Sequence, residues 1–190
     1  ANIKIMMSPA GAEEWDGKSE LTHQQLHEVE IEDLLPREKI EVDMDAIGAM
    51  LTGRRVFITG AAGSIGSEIV RQVASYKPAE MILVNQAETP MHGIRLMMAR
   101  QFSDVKNETV VASITDKDHM EKLFSEHCPE YVFHAAAFKH VPMLEDNPIQ
   151  AVRNNIAGTR VIVDLALKYG TKKFVMISTD KAVNPTNVMG

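Results

Sequence analysis

The stretch Thr59-Gly60-Ala61-Ala62-Gly63-Ser64-Ile65-Gly66 decides the fold, because it joins an apolar run, Arg55–Thr59, to an amphipathic one. Its GxxGxxG spacing sits between a predicted strand and a predicted helix. In that setting Gly60 permits the tight turn, Gly63 lets backbone approach a pyrophosphate, and Gly66 allows close packing of helix on sheet. The helix N-terminus adds free N–H groups and a partial positive charge. A dinucleotide diphosphate satisfies those donors, so Thr59, Gly60, Gly63, Ser64, Ile65 and Gly66 are candidate cofactor contacts. A glycine-rich turn that binds nothing is the weaker reading, since strand, spacing and helix coincide.

Outward from this loop, short apolar runs alternate with amphipathic ones, the pattern of a parallel sheet covered by helices. Strands are predicted at Arg55–Thr59, Met81–Val84, Thr109–Ser113, Tyr131–His134 and Lys173–Ser178, with helices at about 64–76, 89–103, 116–127 and 147–169. Thr115 with Asp118 resembles a capping box, Asn147-Pro148 places an N-cap before a first-turn proline, and Gly170 closes the last helix. The fold class expected is α/β, a doubly wound parallel sheet of the Rossmann, NAD(P)-binding kind with strand order 3-2-1-4-5. Its ligand crevice lies at the carboxyl ends of strands 1 and 4.

Residues 1–50 read differently. Ile3–Met7 is a strand candidate, and the acidic-apolar stretch Val29–Leu35 follows a polar middle, so this part is expected to be the tail of a preceding domain plus a linker. Residues 51–190 are expected to form the dinucleotide-binding domain, incomplete at its C-terminus. The first 50 residues hold 12 acidic and 4 basic side chains against 14 and 16 in the rest. That balance gives no support to nucleic-acid binding. The single cysteine, Cys128, excludes an internal disulfide and a CxxC pair. No apolar run reaches the ~20 residues that cross a bilayer, and a reducing cytoplasm fits this stretch best. The chain starts at Ala1 and stops at Gly190 without a closing signal, so both ends are expected to be truncations.

Candidate site residues follow from position in the crevice. Where dinucleotide enzymes usually offer a ribose-binding carboxylate, the second strand ends in Asn85, with Glu88 three residues on. An amide binds a hydroxyl without repelling a 2′-phosphate, so NAD is favoured with NADP as the alternative. Ala135, Ala136 and Ala137 end strand 4 and would let a cofactor lie flat; packing under a helix is the bland reading. Ser178-Thr179-Asp180-Lys181 ends strand 5 with hydroxyl, carboxylate and amine where cofactor and substrate meet; a surface turn is its bland counterpart. His140, beside Lys139, could approach the substrate, or pack at a helix start. His23 and His27 are four apart without a third ligand and read as a solvated helix face, so no metal site is expected. The twelve methionines, Met97 and Met98 among them, read as core filler.

Thr59–Gly66, the HAAAFKHVP block at 134–142, Asn155-Ile156-Ala157-Gly158-Thr159 and the STDKAVNPTNVMG block at 178–190 together closely resemble the CapD-like UDP-N-acetylglucosamine 4,6-dehydratases of bacterial polysaccharide synthesis, a group of extended short-chain dehydrogenases. The similarity runs from about Val29 to the last residue. It implies a redox-neutral lyase with NAD as hydride carrier and a UDP-sugar as substrate. The sugar is oxidised at C4, gives up its C5 proton, loses water from C6 and is reduced at C6, leaving a UDP-4-keto-6-deoxy sugar. By match to the family, Thr179 binds the C4 hydroxyl, Asp180 protonates the departing C6 hydroxyl and Lys181 is the base at C5. Lys139 and His140 lie toward the substrate. Met189 stands where most short-chain dehydrogenases carry a tyrosine, and the CapD-like group is similar in having methionine there. Ser113, next to Ile114, stands where an aspartate often meets the adenine amine.

Large members of this group carry N-terminal transmembrane helices, and VEIEDLLPR at 29–37 looks like their junction to the catalytic part. The resemblance therefore implies anchoring to the inner membrane through a missing N-terminal region, with the catalytic part in the cytoplasm. It further implies a missing C-terminal sugar-binding region, a homo-oligomer, and a fragment inactive by itself. Two other readings compete. A nucleotide-sugar 4-epimerase needs the same loop but a tyrosine that Met189 does not supply, and a silent NAD(P)-binding module would not need Thr179, Asp180 and Lys181 together.

Overall fold

The computed structural model describes residues 6–7, 27–28 and 43–190. The chain divides into two compact units, 1–43 and 44–190. In the first, Met6–Met7 pairs antiparallel with His27–Glu28. Ile3, Ile5, His23 and the Val29–Leu35 stretch lie outside the described residues, and His27 is in a strand rather than on a helix face.

The second unit is built on β1 (Arg55–Thr59), β2 (Glu80–Asn85), β3 (Asn107–Val111), β4 (Tyr131–His134) and β5 (Lys173–Met176). They form one sheet ordered β3-β2-β1-β4-β5 with every pairing parallel, as the motif spacing requires. Alternation along the strands sorts the core into two layers. Val56 and Ile58 of β1 join Met81 and Leu83 of β2 on the face covered by α1 (Met44–Leu51), α2 (Ser64–Ser75) and α3 (Glu88–Gln101). Phe57, Ile82 and Val84 face α4 (Lys117–His127) and α7 (Thr159–Lys168), where the Phe57 and Phe124 rings sit 4.7 Å apart. The two central strands are buried on both faces, which is why they read as unbroken apolar runs. Met81, Met91, Met98 and Met120 fill this core, Met97 packs against it, and Met44, Met143 and Met176 are exposed.

Several local expectations need correction. The sheet-bearing unit begins at Met44 rather than residue 51, because α1 buries Leu51 and lays Ile47 and Met50 on the first layer. Strand β3 lies two residues earlier than expected: its ladder runs from Asn107↔Met81 to Val111↔Asn85, and Ser113 turns away to hydrogen-bond Thr115. With its hydroxyl so engaged, Thr115 does not cap α4; Asp116 does, accepting from the His119 N–H at 3.1 Å. β5 ends at Met176, although the Ile177 N–H still reaches the His134 carbonyl. The single helix predicted at 147–169 is instead α6 (Pro148–Ala151), a π-helical turn (Val152–Gly158) and α7, preceded by an unexpected α5 (Val141–Asp146). Asn147 does not cap α6 through its side chain, which donates back to the Met143 carbonyl at 2.9 Å. Gly170 does follow the last helix in the left-handed region, at φ 70°.

Candidate active site

The parallel sheet brings all the strand ends to one edge, and the phosphate loop occupies its centre. Gly60 adopts φ +66°, where a side chain is strained, and a Cβ there would lie 2.6 Å from the backbone of Ala135. Gly66 is equally committed: a Cβ would overlap the carbonyl oxygen of Gly60. The loop backbone therefore presses against the end of β4. Gly63 precedes α2 with no side-chain cap, leaving the first helical turn to meet a ligand.

One cleft runs over this loop, lined by Gly60, Gly63, Asn85, Gln86, Ile114, Ala135–Ala137 and Asn154, with Val84 and Ala112 behind. It contains much of the expected cofactor set. Thr59, Ser64, Ile65, Gly66 and Ser113 do not line it. The Thr59 hydroxyl is fully buried against His134, Gly66 lies under the loop, Ser64 opens α2, and the Ser113 hydroxyl is held by Thr115 at 2.8 Å. Asn85, a lining residue, gives its Nδ2 to the Ala87 carbonyl at 3.2 Å, which leaves its Oδ1 as the end of the amide available to accept. No lysine or arginine is among the lining residues.

A second cleft shares Ala135–Ala137 with the first and continues between two walls. One wall carries Lys139, Val152 and Ile156; the other carries Ile177, Ser178, Thr179, Val188 and Met189, with Ile65 at the loop end. Thr179 and Met189 are thus brought together at the cleft. Asp180 and Lys181 are not: they pair with each other at 3.3 Å on a short 3₁₀ turn, and the Asp180 side chain is 88% exposed. The Lys181 ammonium, and then the Thr179 hydroxyl, hold the Asp180 carboxyl below its usual range. His140 lines a separate apolar pocket with Phe138, Met143 and Leu144, which Lys139 also borders. Among the described residues no group of three or more His, Cys, Asp or Glu is placed to hold a metal ion, and no helix is long and apolar enough to cross a membrane.

The sequence reading missed His134, which lines the second cleft next to the Ala135–Ala137 strip that the two clefts share. Only 3% exposed, it hydrogen-bonds Thr59 Oγ1 through Nδ1 at 2.7 Å and Thr159 Oγ1 through Nε2 at 2.9 Å. One ring nitrogen donates and the other accepts, so the neutral imidazole ties β1, β4 and α7 together. Burial pushes its pKa down to about 4. The folded protein therefore refuses a proton that the unfolded chain accepts below about pH 6.5. Stability is full above that pH and falls as pH drops toward 4, by about 2 kcal/mol at pH 5. Urea denaturation at pH 7 and pH 5 is expected to show this difference in the wild type and to lose it in His134→Gln. Equal stabilities at the two pH values in the wild type would mean that the imidazole is not sealed from solvent.

Comparison with known proteins agrees with this geometry. Residues 56–190 match the family described as "Polysaccharide biosynthesis protein". The chain is 44% identical to the capsular polysaccharide biosynthesis protein CapD of Staphylococcus aureus over 90% of its own length and 29% of that protein's. It is 32% identical to a Campylobacter jejuni UDP-N-acetylglucosamine 4,6-dehydratase (inverting), over 74% of this chain and 41% of the relative. The chain thus spans less than half the length of these relatives. The crystal structure of Thermus thermophilus UDP-glucose 4-epimerase in complex with NAD superposes with a TM-score of 0.56 at 27% identity, over 66% of this chain and 37% of that one.

Proposed function

Since the chain belongs to the polysaccharide biosynthesis protein family, we propose that it carries the NAD site and catalytic turn of a nucleotide-sugar 4,6-dehydratase, with UDP-N-acetylglucosamine as substrate. The observation that carries this reading is that Thr179 and a thioether, Met189, line the same cleft, with Asp180 and Lys181 directly following Thr179 on the 3₁₀ turn. An epimerase needs a group that takes the C4 hydroxyl proton and returns it. A dehydratase must move that proton too and a thioether cannot take it, but only the dehydratase has a use for an acid at C6 and a base at C5, which Asp180 and Lys181 would supply.

The first cleft fits NAD: its glycines leave no room for side chains, α2 has no cap of its own, and Ala135–Ala137 offer a flat strip. When bound, NAD supplies the hydride acceptor for C4 and the hydride donor for C6. The residues do the rest. Thr179 Oγ1 orients the C4 hydroxyl and relays its proton out to bulk water as hydride leaves C4. Lys181 Nζ takes the C5 proton and returns it to C5 as hydride reaches C6, and Asp180 delivers a proton to the departing C6 oxygen. Both roles require water to leave, because an exposed Asp180–Lys181 ion pair holds an ionised acid beside a protonated base.

Preference for NAD over NADP is expected at about tenfold or more in dissociation constant. Asn85 keeps an acceptor available, and no cation lines the cleft to meet a 2′-phosphate. Calorimetric titration with both dinucleotides checks this; equal affinities would remove Asn85 from the adenosine site.

The reaction itself is tested by incubating the protein, at its natural length, with UDP-N-acetylglucosamine and NAD, followed by mass spectrometry. Loss of one water supports the dehydratase. Unchanged mass with inverted C4 stereochemistry would replace it by an epimerase, and NAD binding without any sugar chemistry would replace it by a silent module.

A further inference from the structure

We propose that Glu145 is a positioning residue for the substrate cleft, holding the Asn187–Gly190 turn in place as the wall that carries Met189. The proposal rests on the functional reading above for what the cleft binds, and on the following geometry for how its wall is fixed.

Among the described residues, the segment 183–190, which follows the 3₁₀ turn at Asp180–Ala182, forms neither helix nor strand. The turn at its end has a shape of its own: Asn187 Oδ1 accepts the N–H groups of Met189 at 3.0 Å and Gly190 at 3.3 Å, and the Asn187 carbonyl accepts Gly190 again at 3.2 Å. Gly190 then lies so close to the Lys181 carbonyl that a Cβ would overlap it. These contacts fix the segment on itself but say nothing about where it sits relative to the sheet.

Its location is set by one bond. Glu145, on α5, accepts the Val188 N–H at 2.7 Å, 43 residues along the chain. Among the described residues the only other hydrogen bond from 183–190 to an element is Val183 N–H to the Asp180 carbonyl, which merely closes the adjoining 3₁₀ turn. The Glu145 bond is therefore the one that reaches an element distant in the chain. It is short, as expected when the acceptor is ionised. The helix that provides it is well seated: Leu144, beside Glu145, is buried, and α5 follows directly on Lys139-His140. Lys139 belongs to one wall of the cleft, Val188 and Met189 to the other. The Glu145 carboxylate therefore ties the Val188–Met189 part of the lining to α5, the helix that follows Lys139-His140. Nothing in this tie touches the dinucleotide cleft, whose lining includes neither α5 nor the 183–190 segment.

The test compares wild type, Glu145→Ala and Glu145→Gln, each at natural length. Glutamine keeps an oxygen acceptor at the same reach, while alanine removes it. Three quantities are read: amide hydrogen exchange across 183–190, the KM for UDP-N-acetylglucosamine, and the Kd for NAD. Glu145→Ala is expected to speed exchange of the Val188 and Met189 amides by about tenfold and raise the sugar KM by a similar factor, with NAD affinity within about twofold of wild type. Glu145→Gln is expected to stay near wild type in all three. Unchanged exchange in Glu145→Ala, or NAD affinity falling in step with sugar KM, overturns the proposal, as does Glu145→Gln behaving like alanine. The exchange measurement needs no turnover. A wild type that fails to dehydrate the sugar would count against the proposed reaction, while the amide exchange still decides whether Glu145 holds the wall.

Discussion

Gly66→Ala is expected to destabilise the fold by about 2–3 kcal/mol and to abolish dinucleotide binding. Two effects oppose each other. Alanine inside a helix is favoured over glycine by about 1 kcal/mol, and Gly66 is the third residue of α2. Against that, the new Cβ would overlap the carbonyl oxygen of Gly60 and crowd the Ala61 backbone. Neither neighbour is a side chain that could swing away, so the cost reaches or exceeds the upper end of the usual range for overpacking, about 3 kcal/mol. The clash wins, and relief comes only by lifting the loop off β4, which misdirects the first amides of α2. Gly93 provides the control. It lies mid-helix in α3 with nothing within 4 Å of the point a Cβ would occupy, so Gly93→Ala should stabilise by about 0.5–1 kcal/mol. Chemical denaturation of both variants, with NAD titration, separates the two cases. A Gly66→Ala protein as stable as Gly93→Ala and still binding NAD would show that the loop does not depend on this contact.

The central sheet was legible because β1 and β2 are buried on both faces. Val56 to Ile58 and Met81 to Val84 had to be apolar without interruption, and glycine spacing located the turn between strand and helix. What was misread lies where tertiary contacts override local signals. Strand β3 is an edge strand with one fully buried residue, Val110, so little pinned its register. The Thr115–Asp118 pair looked like a cap, but Ser113 had already claimed the Thr115 hydroxyl. Nothing in the 147–169 pattern announced a π turn. It becomes intelligible only in space, where Asn155 uses both ends of its amide to hold the N–H and C=O of Phe138 at 2.8 and 2.9 Å.

The site was legible by residue type and less so by arrangement. Small residues at strand ends, Gly60 and Ala135–Ala137, line the first cleft, the one proposed to take NAD. His134 was overlooked because a histidine at the end of an apolar strand carries no signal until its partners, Thr59 and Thr159, are known to converge on it from 75 and 25 residues away. Ser113 was placed at the adenine by match to the family's pattern. Shifting β3 by two residues puts Ala112 and Ile114 at the cleft and directs Ser113 into a turn.

Lys181→Met is expected to reduce turnover of UDP-N-acetylglucosamine by about a thousandfold, in the range set by loss of a general base, with NAD affinity unchanged because Lys181 does not line the dinucleotide cleft. Its partner gives a different signature. In the unliganded arrangement Asp180 Oδ1 takes hydrogen bonds from both Lys181 Nζ and Thr179 Oγ1, so the carboxyl is ionised and Lys181 is bound to it. On the proposed mechanism, substrate must break that pair, turning Lys181 toward C5 and Asp180 toward C6. The two steps then separate chemically: C4 oxidation acidifies C5, and proton removal there does not require the leaving oxygen to be protonated. In deuterium oxide, Asp180→Asn should therefore lose product formation while the C5 proton of recovered sugar still exchanges, whereas Lys181→Met should lose both. Exchange at the wild-type rate in Lys181→Met would exclude lysine as the base. Loss of exchange in Asp180→Asn as complete as in Lys181→Met would mean that Asp180 acts by holding the lysine, and that the proton for the C6 oxygen comes from elsewhere.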